Sequence, residues 1–212
     1  MTPDEVRALL FTDRTERDRQ VNVGPSEIGG CRRKVWHRLN RTATSNPGTL
    51  RQASSMGTAW HSWIEERLAG NERFLLETSV EREGIRGHVD CFDLEAGEVI
   101  DWKTIRMSGV PYFPKRQQRI QVQIYGWLMS LEQEVRSVCL VGFVKDATER
   151  ELIVHQEPYD EAMALEGLAW LEEVRGMADP PAPEMPLNLC RDYCGFYDPS
   201  GVVGCPGGAK RR

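Results

Sequence analysis

The run Val138–Val144 is the longest uninterrupted apolar stretch of this 212-residue chain. It falls far short of the roughly 20 residues that a membrane-spanning helix requires. A short run without polar positions reads as a β-strand buried on both faces. Such a strand needs cover above and below, which implies a mixed α/β domain with helices around a central sheet. The flanking sequence supplies both. Phe74–Val80, Ile85–Leu94, Val99–Thr104, Val135–Val144 and Leu152–His155 read as strands, with a turn at Glu95–Gly97. An amphipathic helix is expected over Asp4–Gln20, with Val6, Leu9 and Leu10 inward. A second opens at Pro25, with Ser26 as N-cap and Ile28, Val35, Trp36 and Leu39 as its apolar stripe. Gly57–Leu68, Pro114–Leu131 and Tyr159–Met177 complete the helices. Arg41–Ser55 reads as a loop, and a Gly/Pro/Cys-rich tail follows Pro180–Pro186.

The composition is that of an ordinary globular chain, 40% hydrophobic and 28% charged. With no hydrophobic leader visible, the cytoplasm is the expected location. The net charge of -5, taken whole, argues against a polyanionic partner. Its distribution argues otherwise. No acid lies between Glu27 and Glu65, a window carrying Arg32, Arg33, Lys34, Arg38, Arg41 and Arg51. None lies between Asp101 and Glu132, where Lys103, Arg106, Lys115, Arg116 and Arg119 fall, and the sequence closes on Lys210–Arg212. Acids gather instead in Glu149–Glu184. A single charge run is usually a solvated helix face. Two acid-free windows beside one candidate site suit a groove that follows a phosphate backbone, with Arg32, Arg33, Arg38, Lys115, Arg116 and Arg119 as its contacts.

That site is centred on Asp101-Trp102-Lys103. On a strand Asp101 and Lys103 share a face while Trp102 points to the other. Taken alone, the pair is better explained by a surface ion pair. A hairpin centred near Ala96, however, brings Asp90 opposite Trp102–Lys103, so that two carboxylates and an ammonium converge. Adjacent carboxylates repel, and a divalent cation removes the repulsion. Oxygen ligands of this kind suit Mg²⁺ or Mn²⁺. Upstream, His61 has Glu65 at i+4, which fits either a helix ion pair or a third ligand. Downstream, Gln121 and Tyr125 are again i and i+4, as rim groups or as groups that hold the lysine in register.

Gly57…His61, Gly87…Asp90, Asp101-Trp102-Lys103 and Gln121…Tyr125, in that order, resemble the motifs of the RecB-like branch of the PD-(D/E)XK nucleases. The resemblance spans roughly Pro25 to Cys205. It implies a restriction-endonuclease-like core and hydrolysis of DNA at single-stranded ends, with 5′-to-3′ polarity. His61, Asp90, Asp101 and the Trp102 carbonyl would bind one or two Mn²⁺ or Mg²⁺ ions. Lys103 would position the attacking water, with Gln121 and Tyr125 orienting Lys103 and the strand.

Six cysteines without a secretion signal argue for thiols or a cofactor rather than disulfides. Cys139 and Cys91 have the strand parity of packed residues. Cys31 and the tail residues Cys190, Cys194 and Cys205 remain, with spacings unlike paired C-x₂-C zinc knuckles. One upstream and three C-terminal cysteines are similar to the iron–sulfur nucleases of the AddB and CRISPR-associated (Cas4-type) exonuclease families. That resemblance implies a 4Fe–4S cluster stapling the tail to the N-terminal part, with structural Zn²⁺ as the alternative. The expected division within one domain, 1–212, is an N-terminal helical part (1–56), a nuclease core (57–178) and a cluster-binding tail (179–212). Some members of these families form rings or act with recombination or CRISPR partner proteins. The competing reading is a non-catalytic DNA-end-binding subunit of a recombination or spacer-acquisition complex.

Overall fold

In the computed structural model the described residues are Thr2, 23–46, 51–148 and 152–208, with side chains omitted over 51–55. The expected helix Asp4–Gln20 and the basic end Lys210–Arg212 lie outside them. The elements are α1 (Arg32–Leu39), α2 (Arg51–Leu68), β1 (Phe74–Arg82), β2 (Ile85–Asp93), β3 (Glu98–Ile105), α3 (Arg116–Met129), β4 (Ser137–Val144), β5 (Leu152–Pro158), α4 (Glu161–Arg175) and α5 (Leu187–Tyr193), with 3-10 segments at Pro25–Glu27 and Met107–Tyr112. The five strands form one mixed sheet in the order β1-β2-β3-β4-β5. Only β3 and β4 run parallel, joined through α3. No described helix is long and apolar enough to cross a membrane.

The apolar run forms β4, the strand between β3 and β5, as its two buried faces demand. Val138 and Leu140 point to the face covered by α3, and Phe143 to the face where α2 lies. The helix α3 exceeds the amphipathic expectation: all ten residues from Ile120 to Met129 are buried, between the sheet, α4 and the 3-10 turn at Pro25. Its polar members are satisfied inside, Gln123 Nε2 donating to Glu157 and to the Pro158 carbonyl. Leu131, expected on the apolar stripe, falls beyond the helix and is exposed.

The helix expected from Ser26 is broken. Gly24, not Ser26, precedes the 3-10 turn, and Gly29 has a φ of 76° that a continuous helix cannot contain. A Cβ at Gly29 would also stand 2.9 Å from Ile120 Cδ1. The break lets Ile28 enter the core while α1 starts afresh at Arg32. Three further expectations are corrected. Helix α2 begins at Arg51 inside the expected loop, α3 starts two residues after Pro114, and the tail contains α5. The hairpin between β1 and β2 turns on Glu83 (φ 51°) and Gly84 (φ 74°), the two positive values of a tight primed turn.

Substituting Gly29→Ala combines a left-handed alanine with a clash and should cost about 2 kcal/mol, or a fall of about 4–8 °C in Tm. Gly70 has the same backbone sign (φ 79°), but a Cβ there would meet nothing within 4 Å. Gly70→Ala should therefore cost only the backbone part, about 1 kcal/mol. Equal melting of the two variants by thermal circular dichroism would contradict the close approach to Ile120.

Candidate active site

The site gathers where β2 loses its regular alternation. Val89 and Phe92, three residues apart, both enter the same core. Asp90 sits at this irregularity. The β2–β3 ladder stops at Cys91↔Ile100, one residue out of the expected register, so Asp90 has no backbone partner on β3. Its carboxylate takes that place: Oδ2 accepts from the Trp102 N–H at 2.9 Å. On the other side, the β1–β2 register pairs Leu76 with Cys91 and Thr78 with Val89 but skips Glu77. Glu77 has a φ of 45°, a left-handed conformation that costs a non-glycine residue about 1–3 kcal/mol and persists only where surrounding structure holds it.

That departure directs Glu77 to the site. His61, Glu77 and Asp90 each offer a ligand atom, all within 4.8 Å of one another, and no other such group occurs among the described residues. His61 comes from α2. One ring nitrogen, Nδ1, lies 3.6 Å from Asp90 Oδ1, and the other, Nε2, is 3.1 Å from the Trp102 carbonyl oxygen. His61 thus turns to Asp90 and the β3 backbone, and Glu65 is exposed. One imidazole nitrogen and two carboxylates form a donor set suited to Mg²⁺ or Mn²⁺.

Lys103 and Asp101 form a second group beside the first. Asp101 is 1% exposed, and its Oδ2 lies 2.6 Å from Lys103 Nζ with no other donor to that oxygen among the described residues. Gln121 Nε2 donates to Asp101 Oδ1 at 3.1 Å and to the Tyr125 hydroxyl at 3.4 Å. The side chains of Gln121 and Tyr125 are buried, so both are interior supports rather than rim groups. Burial, followed by the Asp101 charge, pushes the Asp90 carboxyl up to about 8, against the pull of Lys103 and the Trp102 N–H. Burial also raises the Tyr125 hydroxyl, which stays protonated.

Glu77 was absent from the sequence-derived set. Its signal was available, since a two-residue turn at Glu83-Gly84 pairs positions summing to 167, and 77 pairs with 90. The proposed phosphate contacts are placed differently from the acid-free windows that suggested them. Arg32 pairs with Glu184 at 2.7 Å, Arg38 with Glu27 at 2.9 Å, Arg116 with Glu166 at 2.5 Å and Arg119 with Glu157 at 2.7 Å. Arg33 donates to the Pro181 carbonyl. Acids that bound these windows or lie distant in sequence thus pair with their arginines, and charge counted along the chain overstates the free positive charge. Lys115 is exposed at the start of α3, where its N–H donates to Gln118.

All six cysteines are buried free thiols. Burial, above all, holds Cys91 and Cys139 up at about 12, the state of inert packed thiols. Cys31 and the three tail cysteines are brought together by bonds that fasten the tail. Asn46 Nδ2 donates to the Arg191 and Cys194 carbonyls, Ser45 to the Tyr197 carbonyl, and Phe196 stacks on His37 with centroids 5.5 Å apart. Cys31 and Cys205 lie close enough to Cys190 to raise its pKa, although burial is the larger cause. The Gly207 N–H donates to Cys205 Sγ at 3.4 Å.

The sequence profile of the PD-(D/E)XK nuclease superfamily matches residues 30–198, which include His61, Asp90, Asp101, Lys103, Gln121 and Tyr125. No curated protein is similar enough to count as a match. Among solved structures, SSO0001 superposes with a TM-score of 0.58 at 20% identity, over 95% of this chain and 92% of that one. The alkaline exonuclease LHK-Exo from Laribacter hongkongensis gives 0.51 at 13% identity, over 74% of this chain and 87% of that one. At such identities the likeness is one of fold. The profile spans well over half of the residues, and the chain belongs to the PD-(D/E)XK nuclease superfamily.

Proposed function

We propose that this protein is a divalent-metal-dependent DNA exonuclease that hydrolyses phosphodiester bonds at single-stranded ends, 5′ to 3′. The observation that carries the reading is the placement of Lys103, 2.6 Å from buried Asp101, beside the His61–Glu77–Asp90 donor set. Mg²⁺ or Mn²⁺ held by those three residues, with Asp101 as the further carboxylate expected from the sequence, would activate a water and offset the phosphate charge. The chain's own residues would do the rest. Asp101 fixes Lys103 Nζ, which is placed to hold the nucleophilic water by hydrogen bonding and to face the phosphate with positive charge. Gln121 locks Asp101, and the protonated Tyr125 hydroxyl anchors Gln121. The Trp102 carbonyl, now facing His61, is a further oxygen for the cation. The intact Lys103–Asp101 pair favours catalysis over a purely DNA-end-binding subunit of a recombination or spacer-acquisition complex. The alkaline exonuclease named among the structural neighbours agrees with the reaction class, while the polarity rests on the resemblance to RecB-like nucleases.

The same proposal extends to the tail. Cys31, Cys190, Cys194 and Cys205 would hold a 4Fe–4S cluster joining the tail to the N-terminal part, as in Cas4-type exonucleases. The donor set supports the fit. Cys31 and Cys205 both lie near enough to Cys190 to act on it, and Cys190 and Cys205 act likewise on Cys194. Backbone N–H groups also face these sulfurs, that of Gly207 toward Cys205 and that of Phe196 toward Cys194, as iron–sulfur sites use to tune their clusters. The protein would be an intracellular enzyme with DNA as its partner.

Exonuclease assays on 5′- and 3′-labelled single strands with Mn²⁺ test the catalytic assignment. Wild type should release nucleotides from the 5′ end, and Lys103→Ala should be slower by about 100-fold or more. Equal rates, or an inactive wild type, would contradict it. The purified protein should be brown and contain iron and acid-labile sulfide in equal amounts, and Cys205→Ala should lower solubility and Tm. A colourless zinc protein without sulfide would overturn the cluster.

A further inference from the structure

The second face of the sheet carries an aromatic surface that the proposed chemistry does not use. At 3.6 residues per turn, Trp60, Trp63 and Arg67 share one side of α2, roughly 100° to 160° round the helix from His61. Trp60 stacks on Phe143 of β4 with centroids 4.9 Å apart and planes at 27°, and Trp63 meets Trp60 edge-on at 5.4 Å. Trp102, between the two residues of the Asp101–Lys103 pair, stands 6.2 Å from the same Phe143. The surface therefore begins at the candidate active site and runs outward. Trp63 remains 43% exposed, far more than core packing would leave a tryptophan.

Cations border it. Because β3 and β4 are parallel, their C-terminal ends lie side by side, with Ile105 opposite Val144. Arg106 and Lys145 follow those ends directly, and Lys145 N–H bonds back to the Ile105 carbonyl. Ligands of open α/β sheets bind outside such carboxyl ends. Aromatic faces beside positive charge form the arrangement that holds unpaired nucleic-acid strands, because each base has a π-face to stack and each linkage a phosphate to neutralise. In a duplex those π-faces are already covered by neighbouring base pairs.

We propose that Trp63, backed by the Trp60–Phe143 stack and with Arg67 5.3 Å over its ring, forms a stacking shelf for unpaired bases of the strand entering the site, with Arg106 and Lys145 receiving its phosphates. This rests on the nuclease reading for the identity of the strand, but it assigns binding to residues outside the hydrolytic groups. It also supplies the cationic contacts that the paired arginines of α1 and α3 provide less readily.

The test is fluorescence anisotropy with labelled oligo-dT and with a blunt duplex, in EDTA so that no strand is cut. Trp63→Ala should weaken oligo-dT binding about tenfold and duplex binding less than twofold, and Trp63→Phe should restore most of the loss. Removing Arg106 and Lys145 together should lower the salt slope for oligo-dT by about 1.4. Unchanged oligo-dT binding by Trp63→Ala, or equal loss for strand and duplex, would overturn the shelf. So would a Trp63→Ala protein that merely changes from dimer to monomer at constant strand affinity. The two proposals fail separately: an inert wild type that binds oligo-dT refutes only the nuclease reading, whereas a cutting wild type matched by Trp63→Ala in binding refutes only the shelf.

Discussion

Three carboxylates, those of Glu77, Asp90 and Asp101, are held close together where three strands meet, and the rest of the site answers their mutual repulsion. Asp101 answers it with the cation of Lys103, two residues along the same strand, and with an amide from Gln121. Asp90 has the Trp102 N–H and an imidazole, which do not outweigh burial and the Asp101 charge, so its carboxyl is pushed up. Glu77 accepts a strained backbone to be present at all. An arrangement that spends backbone strain and desolvation to crowd acids together is destabilising by itself, and a divalent cation would relieve it. In a nuclease the same electrostatic deficit serves to place positive charge beside phosphate.

The fold supplies the rigidity that this arrangement needs. Gln121 and Tyr125 can be fixed because α3 is buried all round from Ile120 to Met129, with Ile120 and Ile124 against α4 and Gly29 against Ile120. Gly87 lets α3 come near: a Cβ there would lie 2.8 Å from the Tyr125 ring. His61 arrives from the opposite face on α2, which is held by Trp60 on Phe143. Both layers flanking the sheet therefore serve the site, α3 through Gln121 and Tyr125 and α2 through His61.

Much of this was legible in the sequence because it depends on short spacings. Asp101 and Lys103 share a face by strand period, Gln121 and Tyr125 by helical period, and Val138–Val144 required a sheet covered on both sides. Glu77 was legible only in its register, since the turn at Glu83-Gly84 sets it opposite Asp90, whereas the left-handed backbone that brings it to the site has no signature in the sequence. The free charge was misread for a different reason. Arg32 and Glu184 are 152 residues apart and Arg116 and Glu166 are 50 apart, so the pairing exists only after folding. The break at Gly29 is likewise set by Ile120, far along the chain.

The central claim, that crowded acids await a divalent cation, is tested most directly by Tm against pH from 5 to 9 in EDTA and in Mn²⁺. A folded-state carboxyl near 8 binds a proton that the unfolded chain, with its carboxyl near 3.8, has released. Asp90 therefore favours the fold fully only below about 4, and that contribution is lost as pH rises through about 8. In EDTA, Tm should fall across this window, and Mn²⁺ should raise it most at the alkaline end. A Tm in EDTA that does not fall over that range, or an Mn²⁺ effect that is absent or independent of pH, would contradict the account.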